Sequence, residues 1–140
     1  MIILDTNVLS SIVSDAPDAK IVDWLDAQSA DEIYTTTITY FESWAGIIRL
    51  DPSKRRSVLV AAFAAAMENM LYGRILSFDQ KCANASAELA ATRRRAGRPI
   101  EPRDTFIAGI AIVHGAVIAT GNIRHFTDAN VPLINPWEAQ

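Results

Sequence analysis

MIILDTN, residues 1–7, sets a short apolar run against an aspartate and an amide at the start of the chain. Ile2, Ile3 and Leu4 followed by Asp5-Thr6-Asn7 and then Val8-Leu9 read as a buried strand breaking into a helix. A carboxylate at that junction lies at the carboxyl end of a strand, where open parallel α/β sheets keep their sites. The competing reading is that Asp5 or Thr6 only caps the helix. The polar residues further along decide between the two.

Working outward, the helix begun at Thr6 runs to about Val13, and Pro17 breaks the chain. Residues 18–27 show helical spacing through Ile21, Val22 and Leu25, with Trp24 alongside. Residues 33–37, IYTTT, are β-branched and aromatic and form the second predicted strand. A helix from Thr39 to about Leu50 stops at Asp51-Pro52. Ser53 caps an alanine-rich helix reaching about Leu71, ended by Gly73. Strand three is Ile75–Phe78, followed by a helix over 79–96 that Gly97 and Pro99 terminate. A helix over 102–114 is closed by Gly115, then come strand four at 117–120 and a short strand at 131–134. Strands that are nearly continuously apolar and separated by helices make a parallel sheet covered on both faces. With no repeat, linker or low-complexity stretch, residues 1–140 read as one domain.

Composition narrows the function classes. Cys82 is the only cysteine, so no internal disulfide can form, and a reducing cytoplasm is the expected location. The N-terminus lacks a basic leader and places Asp5 in its apolar run, which is not a signal peptide. The apolar-rich run 58–67 is too short to span a bilayer. A net charge of −3 argues against a general, charge-driven nucleic-acid binder, but the charge is uneven. Residues 1–73 hold ten acids and five bases, whereas residues 74–140 hold six acids and eight bases. Arg93-Arg94-Arg95, with Arg98 and Arg103 close behind, leads into Asp104. Bases beside acids suit an enzyme that holds phosphates and a metal. A solvated helix end favoured by the helix dipole is the plainer reading of the same run.

Four polar positions fall at comparable points on this framework: Asp5 after strand one, Glu42 a turn into the helix after strand two, Asp104 in the helix before strand four, and Asn122 after it. Carboxyl ends of parallel strands converge on one rim, and helix starts after them lie there too, which places Asp5, Glu42 and Asn122 together. Strand order alone does not place Asp104. Gly46, one turn beyond Glu42, costs about 1 kcal/mol of helix propensity against alanine and suggests a close approach by a backbone or a substrate.

DTNVLS at 5–10, TYFESWAG at 39–46, DTFIAGIAIVHG at 104–115, ATGNIRHF at 119–126 and NPW at 135–137 follow one another in a recognisable order. In these segments the chain resembles the PIN-domain ribonucleases, and within them the VapC/FitB-like toxins of bacterial toxin–antitoxin pairs. The resemblance implies a three-layer α/β/α fold with a central parallel sheet of four to five strands. It maps an acidic site onto Asp5, Glu42 and Asp104, which also brings Asp104 to the rim. Thr120 matches the threonine ending strand four, and Asn7 the short polar residue supporting the first aspartate; Thr6 and Asn122 stand beside them. Many relatives carry a further aspartate where this chain has Asn122, and others have one where it has His125. Asparagine can ligate through its carbonyl oxygen but brings no charge, which bears on a second metal position. Asp128 is a substitute only if it is not a surface-loop acid.

Clustered carboxylates, with only His114 and His125 as nitrogen donors, favour a hard ion, Mg²⁺ or Mn²⁺. The expected reaction is hydrolysis of single-stranded or looped RNA, with Asp5 and Asp104 as principal ligands and Glu42 completing the shell or positioning water. Arg94, Arg95 and Arg98 are candidate phosphate contacts. Phe106 or Phe126 could stack on a base, though helical spacing more often marks core. The resemblance also implies a cognate antitoxin, a homodimer and higher toxin–antitoxin assemblies, with no membrane partner. Trp24, Tyr40, Phe41 and Trp44 are the aromatics available for such contacts. The alternative is a PIN fold kept as an RNA- or protein-binding module, its site weakened by Asn122. A phosphoryl-transfer receiver or phosphatase would want an acid beside Asp5 or a late lysine, and Lys81 is the last lysine. Without a Gly-rich phosphate loop or a dinucleotide fingerprint, nucleotide-binding classes are excluded.

Overall fold

The computed structural model describes residues 1–139. Five parallel strands, β1 (Ile2–Leu4), β2 (Ile33–Thr36), β3 (Ile75–Leu76), β4 (Val117–Ala119) and β5 (Leu133–Ile134), form one sheet in the order β3-β2-β1-β4-β5. Six helices cover it: α1 (Thr6–Ile12), α2 (Ala19–Asp26), α3 (Thr37–Ile48), α4 (Lys54–Ala65), α5 (Gln80–Arg95) and α6 (Pro102–His114).

Alternation along the strands builds two cores. Leu4, Ile33 and Ala119 point to one face, where α1, α2 and α4 supply Val8, Leu9, Ile21, Trp24, Leu59 and Phe63. Ile3 and Ile118 point to the other, against Cys82 and Leu89 of α5 and Ile107, Ala108 and Ile110 of α6. A parallel sheet buried on both faces, as the apolar strands predict, is the result. Among the described residues no helix is long and apolar enough to cross a membrane.

The strand order reverses at β1. Chain from β1 moves outward to β2 and β3, then returns across the sheet to β4 and β5 on the other side. The junction of β1 with β4 is therefore the switch point, beyond whose carboxyl ends such sheets open a crevice. Gly115, at φ 59°, ends α6 and turns the chain directly into β4. A helix feeding a strand so tightly runs antiparallel to it, which carries its first turn, and Asp104, to the rim of the sheet.

Strand three is shorter than Ile75–Phe78. Its partner β2 ends at Thr36, whose hydroxyl accepts from the Thr39 N–H and starts α3, so Ser77 and Phe78 have no ladder to join. Strand five loses Val131 and Pro132 and pairs only at Leu133 and Ile134: the Pro132 carbonyl accepts from the Ile118 N–H at 3.0 Å, but proline has no N–H to carry the ladder further. The alanine-rich helix ends in a π-type turn over Ala66–Met70 before the left-handed pair Tyr72-Gly73. Gly46 meets no close neighbour, since a Cβ there would find nothing within 4 Å. The close approach lies at Gly109 instead, where a Cβ would stand 1.9 Å from Ser86 Oγ and 2.8 Å from the Cys82 carbonyl oxygen. That glycine lets α5 and α6 pack backbone to backbone.

Candidate active site

Asp5 is 2% exposed and sits at the end of β1, its N–H bonded to the Ala119 carbonyl of β4. An ordinary N-cap accepts from the second or third helical N–H. Asp5 instead accepts through Oδ1 from the adjacent Thr6 N–H at 2.7 Å, and its Oδ2 faces across the switch point. There Thr120 Oγ1 donates to Oδ2 at 2.7 Å, and the Asn7 amide reaches it at 3.4 Å. The Asn122 N–H donates to Thr120 Oγ1 at 2.9 Å, which commits the threonine proton to Asp5. A carboxylate offers about four acceptor sites, so Oδ1 retains one that meets no donor among the described residues. The cap and the site are the same residue.

Thr6 joins two acids. Its N–H holds Asp5 and its hydroxyl donates to Glu42 Oε1 at 2.8 Å, with Thr39 Oγ1 3.2 Å away. The other oxygen of Glu42 meets Arg103 Nη1 at 3.4 Å. Asp104 lies in the first turn of α6, which Glu101 rather than Asp104 caps, accepting from the Arg103 and Asp104 N–H groups. Asp104 Oδ2 is 2.7 Å from His125 Nδ1, and Oδ1 has no hydrogen-bond partner among the described residues.

Burial pushes the Asp5 carboxyl up to about 6, against the Thr120 and Thr6 hydrogen bonds that favour its charge, and the like charges of Asp104 and Glu42 push it further. Arg103 is held above its usual range by its hydrogen bond to Glu101 and by the charges of Glu42 and Asp104. The three acids thus share one field at the rim. They do not close a cage: among the described residues no three His, Cys, Asp or Glu side chains are gathered for a metal ion. Glu42 is engaged by Thr6 and Arg103, and Asp104 by His125. Mg²⁺ characteristically uses only one or two carboxylates and keeps several waters. An oxygen-only donor set with free lone pairs on Asp5 and Asp104 fits that habit.

Asn7 does more than support Asp5, because its Oδ1 also accepts from the Gly121 N–H at 3.2 Å. Asn122 contributes through its backbone. The Trp137 ring lies over Gly121, where a Cβ would come within 2.9 Å of it, so the terminal NPW segment walls the turn that carries Thr120. No sequence pattern pointed to that contact. The arginine run divides: Arg93 is buried on Asp128, Arg94 and Arg95 face solvent, and Arg98 donates to the Arg124 carbonyl at 2.8 Å. The arginine paired with a site acid is Arg103. Asp128 is an ion-pair partner and not a free loop acid. Phe126 is core, and Phe106 packs on Phe78 with ring centroids 4.8 Å apart. Of the four early aromatics, Trp24 is core and Trp44 stacks on Phe63, while Tyr40 and, at 61%, Phe41 are exposed.

The family model described as "PIN domain" matches residues 2–131. The plasmid stability protein StbB of Pseudomonas syringae pv. tomato is 42% identical over 99% of this chain and 100% of its own length. The VapC ribonuclease Y4jK of Sinorhizobium fredii is 35% identical over 99% of both chains. The toxin FitB of Neisseria gonorrhoeae is 33% identical over 98% of this chain and 99% of its own. The crystal structure of FitAcB from that organism superposes with a TM-score of 0.90 at 32% identity, covering 99% of this chain and 100% of the matched chain. On fold, motif order and these similarities, the chain belongs to the PIN domain family, among its VapC- and FitB-type members.

Proposed function

We propose that this chain is a divalent-metal-dependent endoribonuclease and the toxin of a toxin–antitoxin pair. The observation that carries the reading is Asp5, a carboxylate at the switch point whose ionisation is opposed chiefly by its burial and further by the nearby charges of Asp104 and Glu42. A divalent cation beside it would offset both. Asp5 and Asp104 would be its principal ligands, and Glu42 would complete the shell or position the attacking water. The chemistry that Mg²⁺ or Mn²⁺ would supply, if held there, is a lowered water pKa and a polarised phosphodiester. The chain's own groups prepare the site: Thr120 orients Asp5, Thr6 fixes Glu42 relative to Asp5, and Arg103 brings a cation to the mouth. Arg94, Arg95 and Arg98, at the end of α5 and just beyond it, are the phosphate contacts further out. The ribonuclease name of the relative from Sinorhizobium supports RNA as substrate.

The toxin name of the Neisseria relative supports a cognate antitoxin as the partner that masks the site. The same reading makes residues 1–140 a single domain working in the cytoplasm as a homodimer, alone or within a larger toxin–antitoxin assembly. Exposed Phe41 and Tyr40 on α3 are apolar surface suited to such contacts. Size-exclusion chromatography with light scattering should give twice the chain mass; a monomer at high concentration removes the dimer.

Purified, antitoxin-free protein incubated with a pool of structured RNAs should cut in Mg²⁺ or Mn²⁺ and stop in EDTA. Asp5→Asn run alongside should be inactive, which excludes a contaminating nuclease. A folded protein that cuts none of the pool would be a binding module, and Asn122→Asp would then be the first change to make.

A further inference from the structure

Arg93 opens the run Arg93-Arg94-Arg95, yet it is 2% exposed. All three nitrogens of its guanidinium are engaged. Nε donates to Asp128 Oδ2 at 2.9 Å, and Nη2 to Asp128 Oδ1 at 2.8 Å and to the His125 carbonyl at 2.7 Å. Nη1 donates to Thr105 Oγ1 at 2.9 Å. One planar cation thereby joins the last turn of α5, the first turns of α6, and the two 3₁₀ turns, Ile123–His125 and Thr127–Ala129, that follow β4.

A buried ion pair is weak as a source of stability, because desolvation offsets its attraction. What it can supply is geometry, since the guanidinium fork fixes its acceptors in one plane. The acceptors here are chosen by position. Thr105 directly follows Asp104, and His125 is the residue whose ring stands 2.7 Å from the Asp104 carboxylate. Arg93 therefore grips the backbone of His125 and the neighbour of Asp104, the two ends of that contact. Phe126, fully buried between His125 and Asp128 in sequence, pins the same turn to the core.

We propose that Arg93 is a positioning residue: with Asp128 it sets the placement of His125 against Asp104, and so the direction in which the Asp104 carboxylate faces the site. Its consequence for cleavage rests on the nuclease reading, whereas the placement itself does not. Residues that orient a first set of functional groups typically cost 10–100-fold when changed. Lysine keeps the charge of Arg93 but cannot bridge Asp128, Thr105 and the His125 carbonyl in one plane.

The test uses the full chain as Arg93→Lys and as Asp128→Asn, a milder change at the more exposed partner. Ring-nitrogen NMR spectra of the metal-free protein read the His125 contact, with exposed His114 as internal reference. In wild type the His125 signal should be shifted by its hydrogen bond; in both variants it should move to the position of His114, whose own signal stays put. Cleavage of the RNA pool in Mn²⁺ should fall about 10–100-fold in Arg93→Lys. In a His125→Ala background the same substitution should cost less than about two-fold, because a residue acting through another loses its effect when that other is gone. An unchanged His125 signal in the folded variants overturns the proposal. So does a cleavage loss that is equally large in the His125→Ala background. If Arg93→Lys fails to fold, Asp128→Asn decides by the same spectra and rates. A wild type that cuts no RNA would defeat the nuclease reading alone, and the spectra would still decide the placement.

Discussion

A carboxyl group pushed up to about 6 is divided between two protonation states near neutral pH, and Asp5 is in that position while buried at the meeting of two strands. The sign of its effect on stability follows. Its folded pKa exceeds its ordinary 3.8, so the stability it contributes is fully present below that value and is lost as pH rises through about 6. Asp5→Asn removes a charge that folding must desolvate. In EDTA at pH 8 the variant should be more stable than wild type, by on the order of 1–3 kcal/mol. The difference should close as the pH is lowered through 6 towards 4, and thermal denaturation at the two ends of that range measures it. A variant less stable than wild type at pH 8 would mean that the Thr120 and Thr6 hydrogen bonds outweigh the burial. Asp5 and Glu42 could be placed at the rim from strand and helix ends, whereas Asp104 was brought there only by the family resemblance. Arg103, His125 and Trp137 were not legible, since each acts on a residue that chain order does not bring near. Arg93 was misread for a related reason: three arginines in a row look alike until the fold buries one.

At the scale of the elements, two glycines that look similar in a helix call for opposite outcomes. Gly46 on α3 has open space around its missing Cβ. Gly46→Ala should therefore raise stability by about 0.5–1 kcal/mol, measured by urea denaturation of the free chain. Loss of stability there would mean that a second copy or another partner covers that face in solution. Gly109 on α6 lies against Ser86 and the Cys82 carbonyl of α5, where a methyl cannot fit without moving backbone. Gly109→Ala should cost about 1–3 kcal/mol by the same measurement, as overpacking does. Helix spans were readable from caps and breakers, and α6 begins and ends as Pro102 and Gly115 dictate. Strands three and five were overlong in the sequence reading: apolar content does not reveal that β2 stops at Thr36, and Pro132 has no N–H to give the ladder.

The whole molecule supplies what no segment contains, the order in which five parallel strands lie side by side. Composition and alternation indicate a parallel sheet with two cores but not that β1 and β4 are neighbours. That adjacency puts Thr120 on Asp5 and opens the rim where α6 delivers Asp104. On the proposed nuclease reading, position in the fold is what would let a chain with a net charge of −3 handle a polyanion: acids converge at one rim, with Arg103 at its mouth and further arginines outside it. The proposed site requires these acids to hold a divalent ion between them. Mn²⁺ binding to the RNA-free protein, followed by the loss of the free-ion paramagnetic signal, tests it without any assumption about substrate. Wild type should bind Mn²⁺, Asp5→Asn and Asp104→Asn should each weaken it by about ten-fold or more, and Glu88→Gln on the exposed face of α5 should leave it unchanged. Binding that survives undiminished in both Asp5→Asn and Asp104→Asn, or that wild type lacks, would contradict the account.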